Sequence, residues 1–92
     1  MQLFKKVVRA KAPRGKKELL GYFLALHDQL EKEFNYKAEK LASMSVSELK
    51  RETASLADHL SRTPAGKDAV NTAKRDALYA YHWLIQTGRY ED

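Results

Sequence analysis

Cysteine is absent from the 92-residue chain, so disulfides and thiolate chemistry are excluded. Proline occurs twice and glycine four times, which leaves few positions that force a turn. No apolar run approaches the ~18 residues a membrane span needs. No apolar stretch with a small-residue cleavage site follows the basic N-terminus, so a signal peptide is not expected. Together these absences fit a cytoplasmic protein with no membrane segment. Acidic residues are missing from the first seventeen positions, where Lys5, Lys6, Arg9, Lys11, Arg14, Lys16 and Lys17 give +7. Positions 18–92 hold ten Lys or Arg and twelve Asp or Glu, a balance of −2. The net +5 therefore belongs to a basic arm, and such asymmetry points to an acidic partner, nucleic acid or otherwise.

What is present reads as one globular domain. Apolar residues make up 43% and aromatics 10%, too many for a chain that cannot bury a core. A domain this size buries roughly 60–65% of its unfolded surface, enough for one modest core. Pro13 and Gly15 separate a basic N-terminal segment, 1–15, from a helical domain, 16–92. In that segment Leu3, Phe4, Val7 and Val8 fit one face of a short helix over 2–11. The alternation of Leu3, Lys5, Val7 and Arg9 would also suit a strand, but helix is preferred.

Three longer helices are expected. The first runs from 16 to about 42, on the stripe Leu19, Phe23, Leu26, Leu30, Phe34 and Leu41. The second runs from 46 to about 62, started by the capping box Ser45-Val46-Ser47-Glu48. The third runs from 64 to about 87. Thr63-Pro64 is its start signal, and Gly88 suits a left-handed C-cap. Ala65, Ala69, Ala73 and Ala77 form a ridge of small residues along it, which favours close helix packing. Short connections make sequential helices antiparallel neighbours, so the expected fold is an all-α, antiparallel three-helix bundle.

Helix lengths refine this expectation. At 1.5 Å per residue the three helices span about 40, 25 and 36 Å, so the second cannot cover the others. Residues up to about 25, with Leu19, Leu20, Tyr22, Phe23 and Leu24, should overhang one end. Residues after about 81, with His82, Trp83, Leu84 and Ile85, should overhang the other. Large exposed apolar patches are uncommon on monomers, so something should cover them.

No motif for catalysis is evident. His27, His59 and His82 fall one to each helix, without H-E-x-x-H or Glu-x-x-His spacing, and read as ordinary histidines at stripe edges. Gly66-Lys67 lacks the upstream glycine, the following Ser or Thr and the strand of a phosphate loop. Glu31 and Glu33 point in different directions on a helix and read as solvated surface. With no nucleophile, metal or cofactor motif, neither a cofactor nor a metal is expected, and an enzyme is disfavoured.

The expected function is therefore a non-enzymatic interaction protein that modulates or inhibits a macromolecular partner. Its contacts would be Tyr79, His82, Trp83, Arg89 and Tyr90 together with the basic arm, since aromatics and arginine dominate binding hot spots. A protein partner is favoured, with a nucleic-acid-processing enzyme as one candidate and self-association as another. Direct contact of the arm with nucleic acid is also compatible with its charge. The alternative is a small DNA-binding regulator with a degenerate helix-turn-helix around Leu56-Ala57, Leu60 and Val70. Ser61 and Arg62 stand where that turn usually has glycine and an apolar residue. In size, composition and basic arm the chain looks like small helical accessory and inhibitor proteins of phages and plasmids, a resemblance of type that covers no motif.

Overall fold

The structure, a computed structural model, describes residues 11–91, and every regular element among them is an α-helix. In chain order they are α1 (Gly15–Gln29), α2 (Ala38–Ser43), α3 (Val46–Leu60), α4 (Pro64–Arg75) and α5 (Ala77–Gln86). The all-helical class follows the sequence, but two of the three expected helices are each divided. The expected helix over 2–11 lies outside the described residues, Lys11 apart, and so do Lys5, Lys6 and Arg9.

The helix expected over 16–42 stops at Gln29 because the chain turns left-handed. Glu31 has φ 55°, and the Glu31 and Lys32 amides donate to the Asp28 and His27 carbonyls at 3.0 and 2.9 Å. This is a Schellman cap with glutamate where glycine is usual. The segment after it folds back and seats Phe34 against Phe23 and His27, at ring separations of 6.0 and 5.5 Å. Tyr36 closes the cluster 5.1 Å from Phe23. Phe34 thus keeps its apolar spacing while leaving the helix. α2 then follows, its last turn tied to α1 where the Lys16 ammonium donates to the Ala42 carbonyl.

The two start signals behave as the sequence implies. The Ser45 Oγ accepts from the Glu48 amide at 3.1 Å, while the Glu48 carboxylate takes the Ser45 hydroxyl at 3.2 Å rather than its backbone. Thr63 Oγ1 accepts from the Gly66 amide at 3.0 Å, with Pro64 at the first helical position. At the far end Gly88 has φ 71°, and the Gly88 and Arg89 amides cap the Ile85 and Leu84 carbonyls.

The helix expected over 64–87 is interrupted at one residue. Asp76 has φ −89° and ψ 1°, and its amide donates to both the Thr72 and Lys74 carbonyls. Hydrogen bonding resumes at once, the Ala80 amide donating to the Asp76 carbonyl at 2.8 Å. The next residue, Ala77, is where α5 meets α1. A Cβ built on Gly21 would lie 1.6 Å from the Ala77 carbonyl oxygen, so only glycine permits this approach.

α1 is the central helix, contacted by α3, α4 and α5. Its two sides serve two apolar clusters. One gathers Leu19, Leu20 and Phe23 with Phe34, Leu41, Met44, Leu49, Tyr81, Leu84 and Tyr90. The other packs Tyr22, Ala25 and Leu26 on Val70, Ala73, Ala77 and Ala80. Leu24 and Leu56 touch both. The expected overhang of α1 does not occur. Leu19, Leu20, Tyr22 and Phe23 are buried, because the reversal at Glu31 shortens α1 and α5 covers it through Tyr81 and Leu84. The alanine ridge is real but partial: Ala73, Ala77 and Ala80 are buried, Ala69 is half-buried, and Ala65 is exposed.

Candidate functional site

The outer face of α5 carries the largest exposed side chains of the described residues. Leu84, Ala80 and Ala77 face α1, and that leaves Tyr79 78% exposed and Trp83 39% exposed one turn apart. Leu78 and Ile85 are also open to solvent. Between this face and α1 lies a groove of about 350 Å³, lined by Leu24, Ala25 and Asp28 from α1 and by Asp76, Tyr79 and Trp83. Two carboxylates and two aromatic rings bordering one apolar floor suit a cationic or amphipathic group, which gains both ionic and cation–π attraction there.

The five expected contact residues are only partly brought together. Tyr79 and Trp83 share the groove. His82 is exposed, with its ring 5.9 Å from that of Tyr81. Arg89 already has work to do in the fold: its guanidinium stacks 5.3 Å from the Trp83 ring and donates to the Phe34 carbonyl at 2.6 Å. This bond staples the C-terminal tail to the loop after α1. Tyr90 is only 8% exposed and packs on Tyr81 within the first cluster. Asp28 and Gln29 are groove residues the sequence reading missed, because the periodicity of α5 alone does not say which part of α1 lies opposite Tyr79.

The basic arm divides likewise. Lys16 and Lys17 belong to the first turn of α1, and Lys17 places its ammonium 5.3 Å from the Tyr81 ring centre. Lys11 and Arg14 are exposed. Arg14 lines a second groove, about 550 Å³ and wide open, together with Pro13, Tyr22, Lys50, Thr53 and Lys74. Burial holds the Tyr22 phenol above its ordinary pKa of 10.0, so it stays protonated at neutral pH.

The other candidates resolve into structural roles. His27 is buried rather than at a boundary; its Nδ1–H donates to the Phe23 carbonyl at 2.8 Å, among the rings of Phe23, Phe34 and Tyr36. His59 is exposed. No group of three His, Asp or Glu side chains is set to hold a metal among the described residues. Gly66 serves the α3–α4 corner, where a Cβ would lie 1.6 Å from the Leu60 carbonyl oxygen. No helix among the described residues is long and apolar enough to cross a membrane. Comparison with protein-family models, with curated proteins and with solved structures finds no match for this chain.

Proposed function

We propose that this chain is a non-enzymatic interaction protein that modulates or inhibits a protein partner, gripping it with the outer face of α5. The observation that carries the reading is the pairing of Tyr79 and Trp83, both open to solvent, over a groove flanked by Asp28 and Asp76. A folded chain gains little by leaving an indole and a phenol ring exposed side by side. Burying such rings in an interface makes them hot spots, typically worth at least ~2 kcal/mol each. The carboxylates give the groove a chemical preference for a partner segment bearing Lys or Arg. Arg89 supports the site by fixing the Trp83 ring from one side and so lowering the entropy lost on binding.

The test is affinity capture from the native host with nuclease present, comparing the parent with Trp83→Ala and Tyr79→Ala. Nuclease-resistant capture should fall about 30-fold in affinity for each variant, the equivalent of ~2 kcal/mol. Sedimentation of the isolated chain over a range of concentrations separates self-association from a foreign partner. Capture unchanged in both variants refutes the assignment of this face.

A further inference from the structure

The cations of this protein are not confined to its N-terminal arm. Arg14, at the start of α1, is brought beside Lys50 of α3 and Lys74 of α4 around the second groove. These residues lie 36 and 24 positions apart, on three different elements. No Asp or Glu lines the groove. The one ion pair among the described residues, Arg62–Asp58, lies elsewhere, so none of the three cations is salt-bridged to another described residue. Glu18 accepts from the Arg14 backbone amide at 3.3 Å, and Glu48, Glu52 and Asp76, each two residues from Lys50 or Lys74, stand outside the lining. Residues 12–15 form part of the wall, so the acid-free run from Lys5 to Lys17 leads in sequence directly into the groove.

We propose that this groove binds the phosphodiester backbone of a nucleic acid, with Arg14, Lys50 and Lys74 neutralising successive phosphates. This goes beyond the α5 reading, since it concerns different residues and a different class of ligand. Two features favour a nucleic acid over an acidic protein. Three cations drawn from three elements around one open groove suit a polymer that carries one charge per ~1.7 Å of duplex axis. A protein interface would instead centre on exposed apolar or aromatic anchors. Here Leu19 and Tyr22 are buried, and the exposed rings belong to the other groove. The contacts are to backbone, so recognition is independent of base sequence.

The test uses the full chain and fluorescently labelled 25-mers of duplex DNA and duplex RNA, followed by anisotropy from 50 to 300 mM salt. The parent should bind at least one of them, with log affinity falling linearly against log salt. Lys50→Gln/Lys74→Gln should lower the slope by about 1.8 and weaken binding about tenfold or more at low salt, two phosphate contacts being lost. Lys50→Arg/Lys74→Arg should retain both slope and affinity. Lys32→Gln/Lys37→Gln removes the same charge from exposed positions outside the groove and should change affinity less than threefold. Circular dichroism confirms that each variant is folded. DNA bound in preference to RNA, or the reverse, identifies the source of the phosphates and supports the site either way. Absence of binding to both overturns the proposal. So does an equal loss in the Lys32/Lys37 pair, or equal affinity for polyglutamate, since either reduces the effect to net charge.

Discussion

Gly21 offers the most direct test of the fold, because two effects of opposite sign meet there. On an exposed helix surface, glycine to alanine stabilises by up to ~1 kcal/mol, since alanine loses less backbone entropy. In Gly21→Ala the new methyl would lie 1.6 Å from the Ala77 carbonyl oxygen, 2.7 Å from its carbon and 2.9 Å from the Tyr81 nitrogen. All three are backbone atoms, so no side chain can swing aside. Ordinary contact to a methyl carbon begins near ~3.4 Å, and α5 would have to retreat from α1 by well over an ångström. That retreat loosens Leu20, Phe23, Tyr81 and Leu84, all essentially inaccessible to solvent. Overpacking of this kind costs ~1–3 kcal/mol and at times more; with the upper end offset by the propensity gain, the net loss is about 2 kcal/mol. In urea melts followed by circular dichroism the midpoint should fall by about 1 M, taking a slope near 2 kcal/mol per molar. The melting temperature should fall by roughly 8–16 °C. A Gly21→Ala protein as stable as the parent would mean that α1 and α5 do not meet at this point, and the Tyr79–Trp83 groove would lose its α1 wall.

The remaining expectations use the same melts unless stated. Ala73→Leu and Ala77→Leu should each cost about 1–3 kcal/mol, whereas Ala65→Leu on the exposed end of the ridge should stay within ~0.5 kcal/mol; equal effects would contradict the burial pattern. Glu31→Gly should stabilise by ~0.5–1 kcal/mol, because a left-handed glutamate costs ~1–2 kcal/mol and glycine returns part of that in unfolded-chain entropy. Trp83→Ala should change stability by about 1 kcal/mol or less, since the ring is already 39% exposed, against ~3–5 kcal/mol for a core tryptophan. The raised pKa of Tyr22 means that the folded state holds the phenolic proton longer than the unfolded state. Its contribution is therefore complete below pH 10 and lost as pH rises through the folded value. Stability should fall as pH rises past 10 more in the parent than in Tyr22→Phe, and identical slopes would exclude Tyr22 as the cause.

Local chemistry made the helix starts and the last cap readable. Ser45, Thr63-Pro64 and Gly88 each act through atoms within four residues, so their signals survive without knowledge of the fold. The end of α1 gave no such signal. Its left-handed position holds Glu31, which sequence statistics assign to a helix interior, and Phe34 continues the apolar spacing from outside the helix. The break at Asp76 was equally hidden, for it has neither proline nor glycine and loses no more than one residue of helical geometry. The first misreading lengthened a helix and so produced an α1 overhang that the folded chain does not have, whereas the second joined two helices that together still span 64–86.

The sites depended on tertiary register, which only one residue announces in the sequence. Gly21 stands between Leu20 and Tyr22 inside a strong apolar stripe, where glycine costs ~1 kcal/mol against alanine and offers no side chain to pack. A glycine retained at that expense implies a backbone pressed against it. The small-residue ridge ending at Ala77 is the natural counterpart, and the pair presses the start of α5 against the middle of α1. Once that contact is set, helical periodicity carries Asp28, seven residues on and therefore on nearly the same face, toward Tyr79 and Trp83. The acidic character of the aromatic groove thus follows from one glycine and one alanine. The basic groove has no comparable marker. Lys50 is an exposed lysine and Lys74 a half-buried one in their own helices, and only the packing of α3 and α4 on α1 brings them to the same groove as Arg14. A net charge of −2 over positions 18–92 hid them further, because it averages this cationic groove with the carboxylates that flank the other. Charge counted along the chain located the arm; only the fold brings Arg14 of that arm into one groove with Lys50 and Lys74.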